Sequence, residues 1–156
     1  MSVTVAVALG SNLGERKAHL DVAVSKLQAL LSGLRVSRYY QTIPVGMSGA
    51  QALFLNAAAA GETTLSARAL LDALLAIERE GGRERPFPNA PRSLDLDLIL
   101  FGNVVIEEPG LSVPHQRFRE RGFVLEPLAE IAPDMVDPVT GRSVADLSEG
   151  VRLKSV

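Results

Sequence analysis

Leu94-Asp95-Leu96-Asp97-Leu98-Ile99-Leu100-Phe101 alternates leucine with aspartate and then becomes wholly apolar. Alternation of period two marks a strand, and the closing apolar run makes that strand a buried one. Three similar runs precede it: Val3 to Leu9, ending at the turn material Gly10 to Gly14; Leu34 to Thr42; and Leu53 to Ala60. Between the first and second, Leu20, Val24, Leu27 and Leu31 recur at helical spacing, which predicts an amphipathic helix over 15–31. Between the third and fourth, Thr64 or Ser66 caps a second helix. Its stripe is Leu70, Leu74 and Ile77, and Gly81-Gly82 stops it. Strand, helix, strand, strand, helix, strand is the split βαβ plan, with both helices on one face of an antiparallel sheet. The expected fold is therefore α+β with a ferredoxin-like βαββαβ core. Val104 to Ile106 and Leu111 to Val113 add a hairpin, and Gly122 to Ile131 adds a C-terminal helix interrupted near Pro127. The tail from Pro133 holds a turn at Asp137 to Gly141.

At 156 residues and 47% hydrophobic composition, the chain can bury one core, so a single domain over 1–156 is expected. A net charge of −2 provides no global basic field for nucleic acid or an anionic membrane, so any anion site must be local. The absence of cysteine excludes disulfides, thiolate metal sites and cysteine nucleophiles. There is no signal-like start and no apolar run of membrane-spanning length, and a cytoplasmic protein is expected.

On one strand, Asp95 and Asp97 project from the same face, about 7 Å apart along the chain. An isolated D-x-D is often just a solvated edge. Here the apolar run that follows makes two uncompensated anions at the strand's mouth costly, which calls for a cation. Magnesium is the natural one: a hard ion held by one or two carboxylates, with phosphates and water completing its shell. Arg83, Arg85 and Arg92 lie just upstream on a glycine- and proline-punctuated loop and can present planar forks to phosphate oxygens. A second basic cluster contains His115, Arg117, Arg119 and Arg121; Arg117 and Arg119 read as its solvated surface charges. His19 reads as a bystander, and the 10–14 run, lacking the spacing of a nucleotide-binding loop, reads as structural. In the third strand Phe54 and Asn56 share a face among alanines, so a flat ring can stack there and be read by the amide; Phe123 offers a second wall.

Taken together, Ala8 to Gly14, Tyr40 to Pro44, Phe54 to Ala58, Glu78 to Arg85, Pro91 to Gly102, Val113-Pro114-His115 and Arg121-Gly122-Phe123 resemble the 6-hydroxymethyl-7,8-dihydropterin pyrophosphokinase family of folate biosynthesis. The resemblance spans nearly the whole chain. It implies a ferredoxin-like fold and the transfer of pyrophosphate from ATP to the hydroxymethyl group of the pterin, releasing AMP. It further implies that Asp95 and Asp97 bind two Mg²⁺ ions, and that Arg83 and Arg92 neutralise phosphate charge, assisted by Arg85, His115 and Arg121. Glu78, Leu98 and Ser112 would line the nucleotide. Asn56, Phe54, Phe123, Thr42, Pro44 and Val45 would hold the pterin. The partners implied are these small molecules, with no nucleic acid or membrane and a monomeric chain. The sequence departs from the family pattern at Pro88-Asn89-Ala90, where Arg-Trp-Gly is frequent, at Phe54, where tyrosine is common, and at Gly110, where a basic residue sometimes stands. Loop closure is then expected to use other contacts, such as Phe87. A ferredoxin-like RNA-binding module is the rival class, but the central strands lack the paired aromatics and basic face that stacking requires. A different two-metal phosphotransferase or nuclease is the rival within enzymes.

Overall fold

A computed structural model describes residues 2–12, 15–42, 54–81 and 94–154. Four principal strands form the sheet: β1 (Val3–Ser11), β2 (Ser32–Val36) continued by β3 (Tyr40–Thr42), β4 (Phe54–Thr63) and β5 (Asp95–Phe101). Their order is β2-β4-β1-β5, with β3 extending the β2 side along β4, and all pairings are antiparallel. With α1 (Arg16–Leu30) after β1 and α2 (Ala67–Gly81) after β4, this is the ferredoxin-like arrangement expected from the sequence.

Helix α2 starts where Ser66 accepts the Ala69 amide on its hydroxyl at 3.1 Å, so Ser66 and not Thr64 is the cap. The stripe Ala67, Leu70, Leu74 and Ile77 packs with Leu20, Ala23 and Leu27 of α1 against Val5, Val7 and Leu9 of β1 and Leu96 and Leu98 of β5. On the other face, Ala6, Ala8, Ala58 and Ala60 pack under α3 (Gly122–Ile131) and α4 (Val144–Lys154), using Val124, Leu125, Leu128, Val144 and Leu147. The sheet is therefore covered on both faces. The alanine-rich strands leave room for that second layer to approach closely.

Several details of local structure differ from what the sequence pattern suggests. Leu34 to Thr42 is not one strand. The buried Ser37 donates its amide to the Ala58 carbonyl and accepts the Ala58 amide on its hydroxyl, both at 2.9 Å. A side chain thus replaces a main-chain acceptor, and four steps from Val36 to Tyr40 oppose three from Ala59 to Asn56. Pro127 lies inside α3 without interrupting it: proline deletes one helical donor, but Leu125 and Leu128 are buried in the second core and keep the helix seated. Finally, the tail contains α4, whose apolar residues are too few to show a clear helical stripe in the sequence alone. The hairpin is present but shifted: its first strand is β6 (Ile106–Glu108), not Val104 to Ile106, so Glu107 and Glu108 pair with β7 (Leu111–Val113) and the turn shortens to Pro109-Gly110, with Gly110 at φ 78.

Candidate active site

Three strands build the floor of the site. Gly10 of β1 pairs with Asn56 of β4 on one side and with Asp95 of β5 on the other; one step inward, Ala8 lies between Ala58 and Asp97. An amide and two carboxylates thus flank a strip with almost no side chain. Above it lies a cavity of about 660 Å³, into which Thr42, Phe54, Asn56, Asp95, Asp97, Arg121 and Phe123 all face. Buried Asn56 donates from its amide nitrogen to the Thr42 hydroxyl, which fixes the orientation of the amide. The Arg121 guanidinium carbon lies 5.6 Å from the centre of the Phe123 ring, a cation–π contact that braces both.

On the far side of β5 a more open groove of about 870 Å³ runs between α2 and the β6–β7 hairpin, lined by Glu78, Leu98, Ser112 and His115. The Glu78 carboxylate also accepts the Leu96 amide at 2.7 Å, holding the exposed edge of β5 against α2. A bulge sets the position of His115. Ala6 pairs with Leu100 and Val7 with Leu98, leaving Ile99 as the extra residue, and the Ile99 carbonyl accepts the His115 amide at 2.9 Å. His115 Nδ1 accepts the Arg117 amide at 3.2 Å, which leaves Nε2 as the donor of the neutral ring. Burial lowers its pKa below the usual histidine value; Asp97 pulls it back up, while Arg121 and Arg117 push it down. Near neutral pH His115 is an uncharged donor.

Asp97, Arg117 and Arg121 line both cavities, so the two spaces meet at one carboxylate and two guanidinium groups. Arg117 is exposed, in keeping with its reading as a solvated charge, and stands where the two spaces meet. Arg119 departs from that reading: it lies partly buried and pairs with Asp137. Gly10, read as structural, belongs to the floor. Of the expected site residues, Thr42, Phe54, Asn56 and Phe123 gather in the first cavity with Asp95 and Asp97, and Glu78, Leu98, Ser112 and His115 gather in the second. Pro44, Val45, Arg83, Arg85 and Arg92, as well as Phe87, lie outside the described residues. No cluster of three or more His, Asp or Glu metal ligands occurs among the described residues. Two hard carboxylates on one strand face fit magnesium, which takes the rest of its shell from water and phosphate, better than the nitrogen- and sulfur-rich set of zinc.

The profile of the family described as 7,8-dihydro-6-hydroxymethylpterin-pyrophosphokinase matches residues 6–133. The chain belongs to this family. It is similar to the 2-amino-4-hydroxy-6-hydroxymethyldihydropteridine pyrophosphokinases of Pseudomonas aeruginosa, at 43% identity over 92% of this chain and 88% of that protein, and of Bacillus subtilis, at 44% over 94% and 87%. Membership in this pyrophosphokinase family makes the chain a diphosphotransferase of folate biosynthesis acting on a pterin alcohol, with ATP as co-substrate. Among solved structures, the wild-type Plasmodium falciparum HPPK-DHPS superposes with a TM-score of 0.78 at 13% identity, over 99% of this chain and 46% of that one, a likeness of fold. No helix among the described residues is long and apolar enough to cross a membrane.

Proposed function

We propose that this pyrophosphokinase binds 6-hydroxymethyl-7,8-dihydropterin in the 660 Å³ cavity and ATP in the 870 Å³ groove, and joins them where the two spaces meet. The observation that carries this reading is the shared boundary of Asp97, Arg117 and Arg121, with Asp95 beside it. In the first cavity, Phe54 and Phe123 flank the flat ring and the Asn56 amide reads its edge. Thr42 holds that amide, and Pro44 and Val45 complete the pocket. In the groove, Glu78, Leu98 and Ser112 contact the nucleotide, His115 donates from Nε2 to a phosphate oxygen, and Arg121 faces the polyphosphate with Arg83, Arg85, Arg92 and Arg117.

Asp95 and Asp97 would hold two magnesium ions, which when bound neutralise phosphate charge and polarise the transferred group. The pterin hydroxyl oxygen forms a bond to the β-phosphorus as the bond from that phosphorus to the oxygen bridging the α-phosphate breaks. AMP leaves with the bridging oxygen, and the hydroxyl proton is released. No covalent enzyme intermediate is needed; the chain's contribution is to hold hydroxyl and phosphorus in line and to stabilise charge with fixed guanidinium donors. The same reading takes residues 1–156 as one catalytic domain acting as a monomer.

The test is product analysis. Protein incubated with Mg²⁺, ATP and the reduced pterin alcohol is expected to form AMP and the pterin diphosphate in equal amounts, and a chelator is expected to stop both. Formation of ADP in place of AMP would overturn the reading.

A further inference from the structure

Asp137 is completely buried, yet its environment is built for a charge. Its carboxylate accepts Arg119 Nε at 2.5 Å and Nη2 at 2.9 Å, the Thr140 hydroxyl at 2.8 Å and the Val139 amide at 3.0 Å. Its backbone is equally fixed. The Asp137 amide donates to the Arg142 carbonyl at 2.9 Å, and its carbonyl accepts the Gly141 amide at 2.8 Å, closing a turn in which Gly141 adopts φ 74.

Arg119 belongs to a single 3-10 turn, Phe118–Glu120, between His115 and α3. Phe118, fully buried, anchors that turn in the second core, and the Arg119 guanidinium carbon lies 4.9 Å from the centre of its ring. The arginines on either side, Arg117 and Arg121, line the two cavities. One short segment therefore sends its middle arginine inward to Asp137 and its outer two to the site. A two-point guanidinium–carboxylate pair is directional, so it fixes how this segment is rotated. Such a pair stabilises a fold little more than apolar residues of the same volume would, so its presence here is better explained by geometry than by stability. The turn that carries Asp137 lies beyond residue 133, where the family profile match ends.

We propose that Asp137 is a positioning residue for the transfer site: acting through Arg119, it sets the 117–123 segment so that Arg121 faces the polyphosphate and Phe123 faces the pterin. The proposal rests on the function proposed above. Three variants test it beside the wild type: Asp137→Asn, the apolar replacement Arg119→Met with Asp137→Leu, and Thr140→Val, which removes one donor and leaves the ion pair. Thermal midpoints, kcat and the KM for each substrate are measured well below the melting range. Asp137→Asn is expected to lower kcat about ten-fold or more and to raise the KM for the pterin, because small misplacements of transition-state contacts cost rate heavily. The apolar pair is expected to regain the thermal midpoint but not kcat, a separation that a purely structural role would not produce. If Asp137→Asn fails to fold, the apolar pair decides; if neither folds, Thr140→Val decides, with an expected drop of a few-fold. Wild-type kcat and KM in the deciding folded variant would overturn the proposal. A wild type that makes no AMP would instead overturn the proposed reaction, a different result.

Discussion

Gly10 contributes a side chain that is absent. A Cβ placed there would lie 3.2 Å from the Asn56 side-chain oxygen, closer than ordinary contact, so the amide would have to yield by a few tenths of an ångström. That amide is tied to Thr42, and its displacement strains the hydrogen bond that orients it. Gly10→Ala is therefore expected to fold normally and to bind nucleotide as the wild type does, while its pterin affinity falls about ten-fold, the equivalent of about 1.4 kcal/mol. Calorimetric titration with each substrate checks this; equal affinities for the pterin would refute the view that Gly10 clears space for the amide. The sequence alone shows Asp95, Asp97, Phe54 and Asn56 on common faces, because period-two alternation is a local property. It does not show Gly10 between them, since that depends on the register of β1 against two other strands. The inward turn of Arg119 was equally hidden: its partner is 18 residues away, in a turn that carries no helical or strand periodicity.

At the level of elements, β3 shows how a short edge strand is held in place. Glu130, in the last turn of α3, accepts the Arg38 amide at 3.0 Å, Arg38 Nε at 3.1 Å and the Tyr40 hydroxyl at 2.5 Å. The Tyr40 bond is the main cause that holds the Glu130 carboxyl below its ordinary pKa; burial opposes it, and the Arg38 amide and guanidinium add to the lowering. Since β3 carries Thr42, this linkage reaches the amide of Asn56. In Glu130→Ala the solvent-exposed Arg38 pair contributes little to the loss, and global stability is expected to change by about 1 kcal/mol or less. Hydrogen exchange at Tyr40–Thr42 is expected to quicken by about ten-fold, because the strand opens locally without the sheet. Exchange unchanged there would mean that β4 alone holds β3. The main elements of the core were legible in the sequence because each has a clean period, as in the α2 stripe Leu70, Leu74 and Ile77. The division at Ser37 was not, because a serine hydroxyl standing in for a carbonyl leaves no mark on hydrophobic pattern. Helix α4 escaped for a related reason: it packs on α3 through a few residues, Val144 and Leu147 among them.

On the scale of the whole molecule, the packing of both sheet faces gives stability a dependence on acid. Burial alone would raise the Asp137 pKa, but hydrogen bonds from Arg119, Thr140 and Val139 outweigh it and lower the value to about 2. Asp21, bonded by Tyr39 and Lys17, and Glu130 are displaced in the same direction. A carboxylate whose folded pKa lies below its unfolded value binds fewer protons when folded, so it adds stability above the unfolded value near 4 and loses it as pH falls towards the folded one. For Asp137 the window is from about pH 4 to pH 2, and the contribution is about 2 kcal/mol. The urea midpoint of the wild type is expected to fall through that window, and that of Asp137→Asn, which starts lower, is expected to fall less because its side chain cannot titrate. The two curves should converge towards pH 2. Parallel curves would show that Asp137 titrates alike in the folded and unfolded chain, so that its bonds to Arg119, Thr140 and Val139 confer no net preference for the charged form.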